Sequence, residues 1–166
     1  MRKHLIGTIG TSATLALIAI GIVNACGGSP STSSASPASS CVNATAAHRA
    51  YVVVQHSSGT TVQKCIGFAG DTIDGQALMD QSGITFQTQT FSFGKAVCQI
   101  DKEPSTYDKC FATSGPNWSL FTESNGTWTV GQTSYAQVTL HDKDALGWRY
   151  MAYETSPSPP PLPKSS

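Results

Sequence analysis

The stretch from Phe91 to Trp128, FSFGKAVCQIDKEPSTYDKCFATSGPNWSLFTESNGTW, decides how this chain folds. It holds two of the five cysteines and two of the three tryptophans of a 166-residue chain that is otherwise rich in Ser, Thr and Gly. A buried aromatic side chain removes about 150–250 Å2 of surface from water. We therefore expect this stretch to supply much of the core of a single domain.

Short β-branched and aromatic runs around that stretch predict strands. The runs cover residues 50–56, 60–68, 84–91, 95–100, 118–122, 127–130, 135–140 and 147–153, and Asn125-Gly126 is a typical hairpin turn. Only residues 71–83 favour a helix, since Asp71 or Asp74 can cap its start and Gly83 can end it. The sequence predicts an α+β fold with a mostly antiparallel sheet and one short helix.

The amino end has the layout of an export signal. Arg2 and Lys3 precede an apolar run that continues to Ala25 without a charge, and such a run of about 20 residues is also long enough to serve as an uncleaved membrane anchor. Its last residues, Val23-Asn24-Ala25-Cys26, resemble the lipobox of bacterial lipoproteins. That resemblance implies that residues 1–25 are a lipoprotein signal peptide and that Cys26 carries a lipid.

Three further segments follow the predicted signal peptide. Residues 26–40 are Ser, Pro and Gly-rich, which predicts a flexible tether. Residues 41–155 are numerous enough for one domain with a single core. Residues 156–166 contain a run of prolines, which predicts a disordered, extended polyproline tail that does not pack on the domain.

The cysteine count agrees with export. Five cysteines are an odd number, but assigning Cys26 to the lipid leaves four inside the domain: Cys41, Cys65, Cys98 and Cys110. Four cysteines allow three pairings, and we favour two disulfides with local pairing, Cys41 with Cys65 and Cys98 with Cys110. The spacing lacks the C-x2-C or His-rich pattern of a zinc site, so we expect neither a metal nor another cofactor.

The charge pattern argues against several classes of partner. The chain has 10 basic and 10 acidic residues, and removal of Arg2 and Lys3 with the signal leaves 8 basic against 10 acidic, a net charge of about −2. Lys and Arg do not cluster, which argues against nucleic acid and against attraction to an anionic membrane surface. We expect a monomer that contacts the outer face of the cell membrane through Cys26 alone.

Spaced residues of the domain are similar to a module of exported bacterial proteins that is related to the carboxyl-terminal domain of the transcobalamins and intrinsic factor. They are Gly94, Val97-Cys98, Ile100-Asp101, Pro104, Cys110, Trp118-Ser119, Gly126-Thr127-Trp128 and Gly147-Trp148. The resemblance covers residues 50–153 and implies a β-grasp-like domain without known catalytic residues. In the transcobalamins the matching domain helps to enclose a corrinoid. This chain has Asn117-Trp118-Ser119-Leu120-Phe121 where the family often has aromatic-Trp-Ser-aromatic-Trp, and Lys102 where the family often has Gly. Two aromatic positions of that motif are lost, so corrinoid binding is not carried over.

Four aromatic residues are the candidates for ligand binding: Trp118, Phe121, Trp128 and Trp148. They form either a groove for a ligand or partner, or the core of a purely structural envelope protein. A secreted hydrolase is the least supported reading, because His56 and Ser57 are neighbours that would point to opposite faces of a strand and no G-x-S-x-G motif is present. We therefore predict no catalytic residues and a non-catalytic binding module.

Overall fold

The computed structural model of the protein describes residues 40–111, 115–152 and 156–165. The predicted signal peptide, Cys26 and most of the tether lie outside the described residues. Within the described ranges, no helix has the length and apolar character needed to span a bilayer. The strands are β1 (His48–Gln55), β2 (Thr61–Phe68), β3 (Ile73–Asp74), β4 (Phe86–Phe91), β5 (Gly94–Ile100), β6 (Pro116–Ser124), β7 (Thr127–Val130), β8 (Thr139–Leu140) and β9 (Ala145–Ala152), and the α-helix is α1 (Gly75–Gln81). Where a strand over 135–140 is predicted, Tyr135–Gln137 form a 3-10 turn and only Thr139–Leu140 are extended.

The main sheet has five strands in the order β2-β1-β9-β6-β7. β1 and β9 run parallel at its centre, and the other neighbours are antiparallel. Asn125 and Gly126 link β6 to β7 with φ angles of 54° and 79°. Two positive φ values are what a two-residue type I′ hairpin needs, so the turn predicted at this dipeptide is confirmed. The predicted β-rich fold with largely antiparallel pairing and a short helix is confirmed as well.

Helix α1 is shorter than the predicted segment 71–83. It begins after Asp74, whose carboxylate accepts a hydrogen bond of 2.8 Å from the backbone N–H of Ala77. Ile73 and Asp74 instead pair with β8 as a two-residue strand, β3. Asp74 is thus the cap, and Asp71 lies before the strand. A helix this short is stable only because Leu78 and Met79 are buried against the sheet.

The core lies between α1 and one face of the main sheet, which we call the inner face. Alternate residues of the central strands point into it: Ala50, Val52 and Val54 from β1, Leu146 and Trp148 from β9, and Trp118 from β6. Strand β5 of a separate two-stranded sheet, β4–β5, adds Val97 and Ile100. The predicted stretch therefore does supply part of the core, through β5 and β6.

The proline-rich tail is predicted to remain unpacked, but residues 158–165 lie on the opposite, outer face of the sheet. Pro160 is buried there, and a Cβ on Gly147 would be only 2.9 Å from its ring. Arg149 donates a hydrogen bond of 3.0 Å to the carbonyl of Ser158. Gln63 exchanges two hydrogen bonds with the main chain of Lys164, at 2.6 and 2.8 Å. Because proline already restricts the backbone, less conformational entropy is lost when such a segment docks.

Candidate functional site

Both disulfides predicted by local pairing are present. Cys41 is bridged to Cys65 on β2, and Cys98 on β5 is bridged to Cys110. The first bridge fixes the start of the domain to an outer strand of the main sheet. The second holds the loop that follows β5 against that strand, and Phe111, directly after Cys110, is thereby placed beside the surface described next.

A groove of about 480 Å3 lies between β5 and β6. Residues 95–97 of β5 form one wall and residues 117–120 of β6 form the other. Residues 131–133, which follow β7, also line it, as do the buried side chains of Tyr135 and Trp148. We refer to this feature as the β5–β6 groove.

Three large apolar side chains lie exposed at this groove. Phe93 is 50% exposed, Phe111 is 42% exposed and Val130 is 41% exposed, and all three line the groove. Phe93 stacks on Phe91 with the ring planes 4° apart and the ring centroids separated by 5.2 Å. The ring centroid of Phe111 lies 5.4 Å from that of Phe91. A contiguous exposed apolar patch of this kind is typical of a binding surface, whereas scattered exposed apolar residues are not.

The four predicted aromatic candidates do not form one site. Trp118 and Trp148 line the groove, although both are buried and belong to the core. The rings of Phe121 and Trp128 pack edge to face with their centroids 6.4 Å apart, and Trp128 packs with residues of the outer face. Successive residues of a strand point to opposite faces, so Leu120 faces the groove and Phe121 does not.

The sequence reasoning missed Phe93 and Phe111, the most exposed aromatic residues of the groove. A usable signal was present for Phe93, because it occupies the two-residue connection Ser92-Phe93 of the β4–β5 hairpin. An aromatic side chain at a turn has little chance of burial in its own sheet. Phe111 carries no comparable signal, since its position depends on the Cys98–Cys110 bridge.

The lining of the groove is almost free of charge. Lys95 is the only charged side chain among its described lining residues, and its Nζ donates to Gln76 Oε1 at 3.0 Å. The Tyr135 hydroxyl donates to the same oxygen at 3.0 Å. Burial raises the pKa of Tyr135 above its ordinary value of 10.0, and the nearby carboxylate of Asp80 raises it further. The groove therefore suits a neutral or partly acidic ligand with apolar parts.

His56 is held by carboxylates on both sides of its ring. Its Nδ1 lies 2.6 Å from Glu103 Oε2 and its Nε2 lies 3.7 Å from Asp101 Oδ2. The hydroxyl of Ser57 also bonds to Glu103 rather than to the imidazole. A general base needs a ring nitrogen directed at the nucleophile, and here both nitrogens are directed at acidic groups. The arrangement fixes the end of β1 to the turn after β5.

Other histidines lie in surface contacts: His48 Nδ1 is 4.0 Å from Asp142 and His141 Nδ1 is 3.5 Å from Asp144. In the described part of the chain, no group of three or more His, Cys, Asp or Glu side chains is arranged to hold a metal ion. The chemistry that the site offers is therefore contact with aromatic and apolar surface, assisted by neutral polar groups such as Asn117, Ser119 and Gln132.

No protein-family model matches the chain, and no curated protein matches it either. The fold and the site alone define the class: a β-rich domain with two disulfides and an aromatic groove beside its main sheet.

Proposed function

We propose that this protein is a non-catalytic lipoprotein of the cell envelope, anchored by a lipid on Cys26 to the outer face of the cell membrane, and that its domain binds a ligand or partner in the β5–β6 groove. The observation that carries the binding proposal is the exposed apolar surface of Phe93, Phe111 and Val130 at a groove of about 480 Å3. A purely structural protein would gain nothing from leaving these apolar side chains in water.

Two features support a location outside the cytoplasm. The first is the signal and lipobox pattern that ends at Cys26. The second is the pair of disulfides, since such bonds persist in oxidising compartments and are rare in the cytosol. With Cys26 acylated, every remaining cysteine is paired.

The arrangement of the main sheet supports a β-grasp-like domain. Its first and last strands, β1 and β9, lie side by side and parallel at the centre, with an antiparallel neighbour, β2 or β6, on each flank. The helix follows the first hairpin and packs on the inner face. The resemblance to the transcobalamin-related module implies a β-grasp-like domain, and both the β-grasp assignment and that kinship belong to the proposal. Corrinoid binding is not part of it.

The binding proposal is tested with the mature chain carrying Cys26→Ser, which removes the lipid site and leaves the domain intact. This protein is used to capture ligands from envelope extract, with corrinoids and glycans screened in parallel. The double variant Phe93→Ala/Phe111→Ala should lose the captured ligand. Val42→Ala is the matched control, because Val42 is another exposed apolar residue, adjacent to β2 and away from the groove. Equal capture by all three proteins would mean that the ligand binds outside the groove and would overturn the proposal, and capture by none would favour the structural reading.

The anchor is tested separately by metabolic labelling with a fatty acid. Labelling should be lost in Cys26→Ser and kept in Ser29→Ala, a neighbouring change in the tether that leaves the thiol. If Cys26→Ser is still labelled and still found in the membrane fraction, the chain is held there by something other than a lipid on Cys26, and the anchor proposal fails.

A further inference from the structure

We propose that the occupant of the β5–β6 groove is an extended peptide segment of a partner protein, which adds as a strand to the open edge of β6 at Trp118. This inference rests on the proposed binding function of the groove and names the chemistry of the partner. It comes from the backbone of the two walls rather than from their side chains.

Strand β6 is paired unequally on its two sides. On one side β9 pairs with it from Pro116 to Glu123. On the other side β7 pairs only from Phe121 to Ser124. The N–H of Gly131, just after β7, donates to the carbonyl of Leu120 at 2.8 Å, and this bond marks the limit of the pairing. No described strand pairs with residues 116–119 on that side.

The direction of the free backbone groups follows from the antiparallel pattern. Backbone groups alternate between the two sides of a strand, so residues two apart face the same side. Because the Leu120 carbonyl is directed toward β7, the N–H and C=O of Trp118 face the same side, which at this point is the groove. A strand edge left open in this way is a template for another strand.

The opposite wall has an open edge as well. β5 pairs with β4 without interruption from Gly94 to Val97, and the closing pair is Phe91 with Gly94. The carbonyl of Lys95 points away from β4, since it accepts a hydrogen bond of 2.7 Å from Ser134 Oγ. Val97, two residues on, directs its N–H and C=O to that same side. Val97 and Trp118 line one groove, so it is bounded by two strand edges that have no strand neighbour among the described residues.

A segment added to this part of β6 would lie in the groove, with β5 on its other side. Four residues of wall on β6 correspond to about 13 Å of extended chain, so the segment needs roughly four or five residues in strand conformation. Main-chain hydrogen bonds supply affinity in this mode of recognition, and alternate side chains supply specificity. Phe93 and Phe111 offer apolar contacts to it, and Lys95 favours an acidic residue at one end.

The test uses a phage-displayed library of random hexapeptides, selected on the mature Cys26→Ser chain and counter-selected on the same chain carrying Phe93→Ala/Phe111→Ala. The best binder is synthesised unmodified and with N-methyl groups on alternate residues, in both registers. We expect one N-methylated register to bind about tenfold or more weakly, since it removes backbone donors. We also expect the unmodified peptide to slow hydrogen exchange at the amides of Trp118 and Val97.

Charge provides a second readout. Lys95→Glu should weaken an acidic binder several-fold, whereas Lys164→Glu, in the tail, should not. Two results would overturn the inference: no peptide is enriched, or the enriched peptide is indifferent to N-methylation in both registers and leaves the two amides unprotected. If a corrinoid or glycan binds through Phe93 and Phe111 while peptides do not, the proposed function stands and the strand-addition inference alone fails.

Discussion

Trp118 donates a hydrogen bond of 2.7 Å from its indole Nε1 to the main-chain carbonyl of Glu103. The bond fastens the turn after β5 to the middle of the β6 wall. Glu103 in turn holds His56, whose ring lies edge-on to the same indole at 5.6 Å. Trp118 is therefore both a core residue and the link between the two walls of the groove.

Trp118→Ala should lower the free energy of unfolding by about 3–5 kcal/mol, because it leaves a cavity in the core. Trp118→Phe keeps most of the apolar area and should cost less, about 0.5–1.5 kcal/mol, because the Glu103 carbonyl loses the indole hydrogen bond but keeps the one from the Ile100 N–H. Urea unfolding of the two variants measures both effects. A near-neutral Trp118→Ala would mean that the indole does not belong to the core.

Removing either disulfide should cost a similar free energy but should affect the groove differently. The bridges close loops with sequence separations of 24 and 12, for which loop entropy gives about 3.5 and 3 kcal/mol. Only the pair Cys98→Ser/Cys110→Ser should also reduce ligand capture, since Phe111 is released with Cys110. The pair Cys41→Ser/Cys65→Ser is the control. Peptide mapping without reductant should recover both bridges from the unaltered protein, and free thiols at these positions would contradict the pairing.

Gly147→Ala should displace the tail from the outer face. The added Cβ would lie 2.6 Å from the Trp128 ring and 2.9 Å from Pro160, and overpacking of this kind costs about 1–3 kcal/mol. Hydrogen exchange at the amide of Lys164, which donates to Gln63 Oε1, should speed up. Gly70→Ala is the matched control, because its Cβ would meet its nearest atom at an ordinary 3.6 Å. Unchanged exchange in Gly147→Ala would mean that the tail does not depend on this contact.

Stability should fall as the pH rises above about 10. Burial raises the pKa of Tyr135 and of Tyr150 above 10.0 in the folded protein, so there the folded state holds protons that the unfolded chain has released. The two tyrosines make their full contribution to the free energy of unfolding at pH values below the ordinary pKa of tyrosine. That contribution is lost as the pH rises through their raised pKa in the folded protein. Unfolding curves measured at several alkaline pH values give the free energy of unfolding as a function of pH. It should decline less steeply in Tyr135→Phe, and less steeply still when Tyr150→Phe is added. An unchanged slope in the double variant would refute this assignment.

Local patterns in the sequence predicted most of the strands, because alternation, β-branched residues and the Asn125-Gly126 turn act over short distances. The disulfide pairing was favoured because each cysteine was paired with one near it in the sequence. The parallel contact of β1 with β9 was not predicted, since it joins residues about a hundred positions apart and leaves no local signature. Helix α1 was predicted too long because Ile73 and Asp74 find a strand partner, β8, that only the tertiary fold provides.

The site was predicted less well than the fold. Trp118 and Trp148 were chosen because they are large and aromatic. Side-chain type alone does not show which face of a strand borders a groove whose other wall is distant in the sequence. Phe121 and Trp128 were therefore grouped with residues of another face. The tail was predicted to be unpacked because its composition is typical of disorder, whereas its docking depends on Gly147, Arg149 and Gln63, which lie on two different strands.

The Cys41–Cys65 bridge also determines how a mechanical load would enter the domain. If the chain is held at Cys26, tension along the tether reaches the fold at the middle of β2, which is joined to β1 by eight residue pairs. The pull is shared among those pairs instead of unzipping the first residues one at a time. In the main sheet, β1 and β9 lie between β2, where the tether is attached, and β6, which forms a wall of the β5–β6 groove. The membrane and a bound partner would therefore apply force to different sides of the same sheet.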